Sequence, residues 1–249
     1  MIIKEKESII NDFYKGFTYP LCFIIFCKYN LFTFQWLSHI INTIKGRYFM
    51  NELTEALFKM SKSGDRQNAV RFIDKGADVN SRDAGGNTPL MHACMHGFTD
   101  TARLLIENKA DVNAQNKFGI TPLIHACQSK QIAIARLLVS SGADVNVKDL
   151  KGDTPLLYAC KTENMDLARL FIDYGADINA RDDEGNTPLM CAIECKSGVM
   201  INFLITHGAD LKAVNTHNKT ALDIAKEKGL FRVINEIKFK IVEEQKKAS

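Results

Sequence analysis

Gly86-Asn-Thr-Pro-Leu90 is the first of four closely similar phrases in this chain of 249 residues. The others are Gly119-Ile-Thr-Pro-Leu123, Gly152-Asp-Thr-Pro-Leu156 and Gly185-Asn-Thr-Pro-Leu189, with prolines 33 residues apart, and Asn218-Lys-Thr-Ala-Leu222 continues the series without its proline. A fixed period of this size is typical of a solenoid made of stacked repeats. Thr before Pro predicts a helix start in each copy, because the Thr hydroxyl caps free backbone N–H groups and Pro loses no hydrogen bond there.

A second phrase recurs at the same period. Its Gly suits the left-handed residue that ends a helix, and the Asp and Asn that follow are typical of turns. Pairs of apolar residues between the two phrases, such as Leu104 and Leu105, predict a second amphipathic helix in each repeat. The copies are Gly76-Ala-Asp-Val-Asn80, Lys109-Ala-Asp-Val-Asn113, Gly142-Ala-Asp-Val-Asn146, Gly175-Ala-Asp-Ile-Asn179 and Gly208-Ala-Asp-Leu-Lys212.

The two phrases together resemble those of ankyrin-repeat proteins, which have this period and this Thr-Pro-Leu signature. The resemblance covers roughly residues 51–245 and implies an all-α solenoid of about six helix-turn-helix repeats, caps included, with short β-hairpin-like loops. At the front, Glu55-Ala56-Leu57 takes the Thr-Pro-Leu register and Arg71 replaces an apolar residue, as a polar cap requires. We expect a repeat domain over residues 50–249, with approximate repeats 52–85, 86–118, 119–151, 152–184, 185–217 and 218–249.

One feature departs from the family pattern. The family usually carries His directly after Thr-Pro-Leu, whereas this chain has apolar residues there and a second column one place later, formed by His92, His125, Tyr158 and Cys191. We expect this column to border the groove of the inner helices, in a structural role rather than as a pH sensor of binding.

Residues 1–49 differ from the rest of the chain, since they hold 12 of its 22 aromatic residues. The first interpretation is that translation starts at Met50, because the segment is rich in residues with AT-rich codons and the first repeat follows at once. Alternatively, residues 17–44 form a weak membrane anchor, although Lys28 is costly inside a bilayer. A soluble extension is the third interpretation. We prefer the interpretation of residues 1–49 as a mis-assigned start, and the membrane anchor ranks second.

Charge separates the same two segments. The chain carries a net charge of +3, but six of its 32 basic and three of its 29 acidic residues lie in residues 1–49. The other 200 residues therefore carry 26 charges of each sign. A neutral repeat region argues against a nucleic-acid partner, which requires a basic surface.

No motif of the sequence points to catalysis. We find no phosphate-binding glycine loop and no Ser nucleophile elbow, so an enzyme is not expected. His92 and His96 have the spacing of a ligand pair, but no third or fourth ligand is near them, so we expect no metal and no cofactor. Seven cysteines without paired spacing favour buried thiols and a reducing compartment, and thus a cytoplasmic protein.

The expected function is non-catalytic binding of a protein partner by a monomer, through the loop tips and the inner helices that form the concave surface. Phe118, Ile120 and Leu150 are apolar at tips where the scaffold does not require it, and such groups commonly anchor interfaces. The alternative is a membrane-tethered accessory protein anchored by residues 17–44. The candidate partner-binding residues are Phe118, Leu150, Lys117, Lys151, Ile120, Asp153, Asp183, Glu184, Met95, His96, Gln128, Lys161 and Glu194.

Overall fold

A computed structural model of the chain describes residues 52–248, so the interpretations of residues 1–49 lie outside the described part. Helices account for the regular structure of that part; it contains no β-strand, and an isolated bridge joins Val214 to Thr220. The helices are α1 (52–63), α2 (Arg66–Asp74), α3 (Pro89–His96), α4 (Thr99–Glu107), α5 (Pro122–Gln128), α6 (Ile132–Ser140), α7 (Pro155–Lys161), α8 (Met165–Asp173), α9 (Pro188–Glu194), α10 (Gly198–Thr206), α11 (Ala221–Glu227) and α12 (Phe231–Ala248).

The predicted helix starts are confirmed. Thr88, Thr121, Thr154 and Thr187 each precede a proline at the first helical position, and each Thr hydroxyl accepts a hydrogen bond from a backbone N–H in the first turn. Thr220 caps α11 in the same way without a proline. The first repeat differs, because the chain is already helical at residue 52, the first described residue, before the expected Glu55-Ala56-Leu57 register.

Helices pack in two layers. Helices α3, α5, α7, α9 and α11 pack each on the next and form the inner layer, while α2, α4, α6 and α8 pack in the same order outside it. The Leu of every Thr-Pro-Leu phrase is fully buried between the layers, and so are Leu105, Leu138, Phe171 and Leu204 of the outer helices. Small residues such as Ala126 and Cys127 are also fully buried, which lets neighbouring inner helices approach closely.

Asparagine side chains join each turn to the next repeat. Asn113 donates through Nδ2 to the Gly142 carbonyl at 3.1 Å, and its Oδ1 accepts from the Asp144 backbone N–H at 2.8 Å. Asn80 and Asn146 make the same two bonds one repeat earlier and one repeat later. The Asn that the sequence assigns to a turn therefore also fixes the offset between neighbouring repeats.

Loop tips form a second row of bonds between repeats. The Leu150 N–H donates to the Phe118 carbonyl at 3.0 Å, and the Asp183 N–H donates to the Lys151 carbonyl at 3.0 Å. Gly152 has φ +74° and lies so close to the next tip that an added Cβ would stand 2.7 Å from the Asp183 nitrogen. Glycine is required there for two reasons, its left-handed conformation and this close approach.

The findings confirm an all-α repeat fold of the expected kind. None of the helices in residues 52–248 combines the length and the apolar character needed to cross a bilayer. The proposed anchor at residues 17–44 lies outside the described part of the chain.

The bonds of Asn113 yield a first prediction. Asn113→Ala removes two hydrogen bonds between repeats, and we expect it to lower the free energy of unfolding by about 1 to 2 kcal/mol. Urea denaturation followed by circular dichroism at 222 nm measures this. Asn202→Ala, at an exposed position of α10, is the matched control and should change stability by less than about 0.5 kcal/mol. Equal effects of the two substitutions would contradict the role of Asn113.

Candidate functional site

Two large apolar side chains stand exposed on neighbouring loop tips. Phe118 is 61% and Leu150 69% exposed, although the backbones of both tips are bonded to each other. Lys117 and Lys151, beside them in the chain, are exposed too. Ile120 is half-buried, so it borders this surface but does not protrude from it as a tip residue would.

An open depression of about 390 Å³ begins at Leu150 and continues to the inner helices α7 and α9. It brings together seven of the thirteen candidate residues, which come from two tips and two helices. Its lining consists of Leu150, Lys151, Asp153, Lys161, Asp182, Asp183, Glu184, Asn186, Cys191, Glu194 and Cys195. Asp182, Asn186, Cys191 and Cys195 were not among the candidates, and Asp182 was not singled out from the sequence.

The remaining candidates lie outside the lining of this depression. Met95, His96 and Gln128 are exposed at the ends of the inner helices α3 and α5. His96 stacks on Phe98 with ring centroids 6.1 Å apart, and its Nδ1 lies 2.8 Å from the His92 carbonyl oxygen. These local contacts orient the His96 ring at the end of α3.

Charged groups meet at the floor of the depression. Lys161 Nζ donates to Asp153 Oδ1 at 2.5 Å and lies 3.5 Å from Asp182 Oδ2. The Asp153 side chain is only 6% exposed, so it is an inward-facing ion-pair partner rather than the free tip residue that its position in the sequence indicates. Burial raises the pKa of Asp153, whereas the Lys161 ammonium acts in the opposite direction. At the rim, Glu194 pairs with Lys228.

The column of His92, His125, Tyr158 and Cys191, two places after Thr-Pro-Leu, is mostly buried. His92 and His125 are 6% and 5% exposed, so they contribute little surface to the groove that they were expected to border; Cys191, which is as little exposed, lines the depression. His92 Nε2 lies 2.8 Å from Asp83 Oδ2, and the Tyr158 hydroxyl donates to Asp149 Oδ2 at 2.7 Å. His92 and Tyr158 thus join their inner helices to the loops that precede them.

His125 is the exception in this column. The residue of its repeat that corresponds to Asp83 and Asp149 is Asn116. The amide group of Asn116 is bonded to Asn87 and to backbone N–H groups of its own loop. His125 Nε2 is buried and has no hydrogen-bond partner among residues 52–248. Burial lowers the pKa of His125 to about 4, so the ring is neutral at pH 7.

The three buried cysteines of the inner helices α3, α5 and α7 are not reactive thiols. Cys94, Cys127 and Cys160 are buried free thiols, as expected, and burial raises the pKa of each above its ordinary value. Thiols held protonated in this way are poor nucleophiles and poor metal ligands. Within the described residues, no three His, Cys, Asp or Glu side chains are placed to share a metal ion.

Comparison with known families agrees with the geometry. The sequence model of the family described as ankyrin repeats (3 copies) matches residues 57–149 and again residues 147–215. Together these matches span more than half of the chain and include the two tips and the depression between repeats.

Buried His125 yields a prediction about pH. The unfolded chain binds a proton at His125 near pH 6.5 and the folded chain only near pH 4, so stability contributed by the neutral ring is lost as pH falls between these values. The loss amounts to about 3 kcal/mol for a shift of this size. His125→Leu should flatten the pH dependence of the free energy of unfolding over this interval, measured by urea denaturation. His96→Gln, at an exposed position, is the control; an unchanged slope for the Leu variant would contradict the assignment.

Proposed function

The chain belongs to the ankyrin-repeat family, and on that basis we propose that it is a non-catalytic module that binds a protein partner across the tips and inner helices of its middle repeats. Ankyrin repeats are in general protein–protein interaction modules. The observation that carries the placement is the pair of neighbouring tips on which Phe118 and Leu150 stand exposed.

The scaffold does not require large apolar side chains at these two tip positions. The scaffold uses the tip backbones, through the bond from the Leu150 N–H to the Phe118 carbonyl, and leaves both side chains unconstrained. Large apolar groups that lose contact with water in a complex commonly dominate its binding energy. Lys117 and Lys151 beside them suit the polar rim that surrounds such anchors.

The depression beside the tips extends this surface toward Asp183, Glu184 and Glu194. Lys161 and Asp153 lie at its floor, and Met95, His96 and Gln128 continue the row of inner-helix ends toward the front of the solenoid. We propose that the protein acts as a monomer in a reducing, cytoplasmic compartment, since its described cysteines are free. The even balance of charges over residues 50–249 speaks for a protein rather than a nucleic acid as partner.

The test is a binding measurement with the tips changed. A partner is first identified by cross-linking and co-purification from the native source. Phe118→Ala combined with Leu150→Ala should then weaken its binding about tenfold or more, because two apolar anchors are lost. Isothermal titration calorimetry measures the affinity, and circular dichroism verifies that the variant is folded.

The matched control removes exposed apolar groups from the outer side. Val199 on α10 is 69% exposed and Tyr174, which follows α8, is 48% exposed. The double variant Val199→Ala, Tyr174→Ala should bind like the wild type. If the folded tip variant retains full affinity, the partner does not bind where we place it.

A further inference from the structure

At two junctions between successive repeats, a pair of Asn side chains 29 residues apart is joined by a hydrogen bond. At the first full junction Asn116 Nδ2 donates to Asn87 Oδ1 at 2.8 Å, and at the last Asn215 donates to Asn186 in the same way at 2.8 Å. At the junction between the third and fourth Thr-Pro-Leu repeats the same two positions hold Asp153 and Asp182. A neutral amide pair is thus replaced by two carboxylates.

Replacing the two amides by two carboxylates introduces electrostatic repulsion, which the fold does not require. The side chains of Asp153 and Asp182 are only 6% and 7% exposed, and like charges in such surroundings repel each other with little screening. The Asn pairs at two of the other junctions demonstrate that the scaffold can be built without these carboxylates. Local departures from the rule of a scaffold that carry a cost are expected at functional sites.

Lys161 compensates the two carboxylates unequally. Its ammonium group makes a close bond to Asp153 Oδ1 and a weak one, at 3.5 Å, to Asp182 Oδ2. The other contact of that oxygen, from Asn186 Nδ2, is also long, at 3.4 Å. Asp182 lines the depression, and among residues 52–248 its Oδ2 has only these two long contacts.

The surroundings of Asp182 favour a cation. Exposed Asp183 and Glu184 follow it directly on the tip. The lining has five carboxylates against two lysines, and even when Lys228, the partner of Glu194, is included the excess is two negative charges. Leu150 forms the apolar edge of the same depression and joins it to Phe118.

We propose that Asp182 and the depression around it bind an Arg or Lys side chain of the partner protein, while an apolar residue next to that side chain packs on Leu150 and Phe118. The proposal rests on the proposed function and names the chemistry of the partner segment. Arg is preferred over Lys, because its planar group can bond to Asp182 and to a tip carboxylate at once.

The probe is a phage-displayed library of random dodecapeptides, panned on the immobilised full chain. We expect enriched sequences to carry Arg or Lys within a few positions of a large apolar residue. Fluorescein-labelled copies of the best peptide, with its basic residue intact or replaced by Gln, are then titrated by fluorescence polarisation against wild type and Asp182→Asn. Replacing the basic residue of the peptide by Gln, or Asp182 of the protein by Asn, should weaken binding about tenfold or more. Both replacements together should weaken it little further, since they remove the same charge-assisted bond.

Two sets of variants keep the result interpretable. The double variant Asp153→Asn, Asp182→Asn recreates the Asn pair of the other junctions, so it should fold and show the same loss as Asp182→Asn. Asp183→Asn combined with Glu184→Gln changes exposed residues and should weaken the peptide in the same direction. Asp166→Asn combined with Asp173→Asn, at exposed positions of α8, is the matched control and should leave the affinity unchanged.

The outcomes separate this inference from the proposed function. Three results would overturn the cation site. The enriched peptides lack a basic residue, or no peptide is enriched, or the loss of affinity on replacing the basic residue by Gln adds fully to the loss caused by Asp182→Asn. The first of these results would leave protein binding at the tips intact. Conversely, if Phe118→Ala with Leu150→Ala left peptide affinity unchanged while the Asp182 coupling persisted, the tip placement would fail and the cation site would stand.

Discussion

Hydrogen bonds from each turn to the next repeat are the interaction on which this solenoid depends. Helices of seven to nine residues are too short to be stable alone, so each pair must be covered by its neighbours. Asn113, with its bonds to the Gly142 carbonyl and the Asp144 N–H, sets the offset at which that covering occurs. Because Asn80 and Asn146 repeat these bonds, the buried leucines of successive inner helices meet in one register and the loop tips form one row.

This way of joining repeats separates stability from surface chemistry. The Phe118 N–H donates to Asn116 Oδ1 and its carbonyl accepts from Leu150, so the backbone of the tip is fully engaged. Its side chain makes no contribution to that arrangement and is mostly exposed. A side chain at a tip can therefore change in size or charge with little effect on the stacking. The tips are therefore positions at which the surface can vary while the hydrogen bonds between repeats are kept.

The period of the sequence predicts much of this structure, since Thr88 and its equivalents cap helices and their leucines are buried as expected. The orientation of His125 could not be predicted, because a shift of one residue turns a side chain toward another face of the helix. The meeting of Asp153 and Asp182 at Lys161 was missed for another reason: residues 29 apart come together only across a junction whose geometry the repeat register does not reveal. A sequence signal does exist. Comparing the residues 29 apart in each repeat with Asn87 and Asn116 shows that Asp153 and Asp182 replace an Asn pair.

The departures from the repeat pattern concentrate in two neighbouring junctions, and each is compensated locally. Where Ile120 replaces the amide of Asn87, Tyr158 supplies the hydrogen bond to Asp149; where Asp153 replaces it, Lys161 supplies the charge. The next junction returns to an Asn pair. Since each repeat contacts only its neighbours, such changes need not propagate along the solenoid. Two junctions can therefore acquire a binding chemistry of their own while the flanking repeats keep the pattern that stabilises the fold.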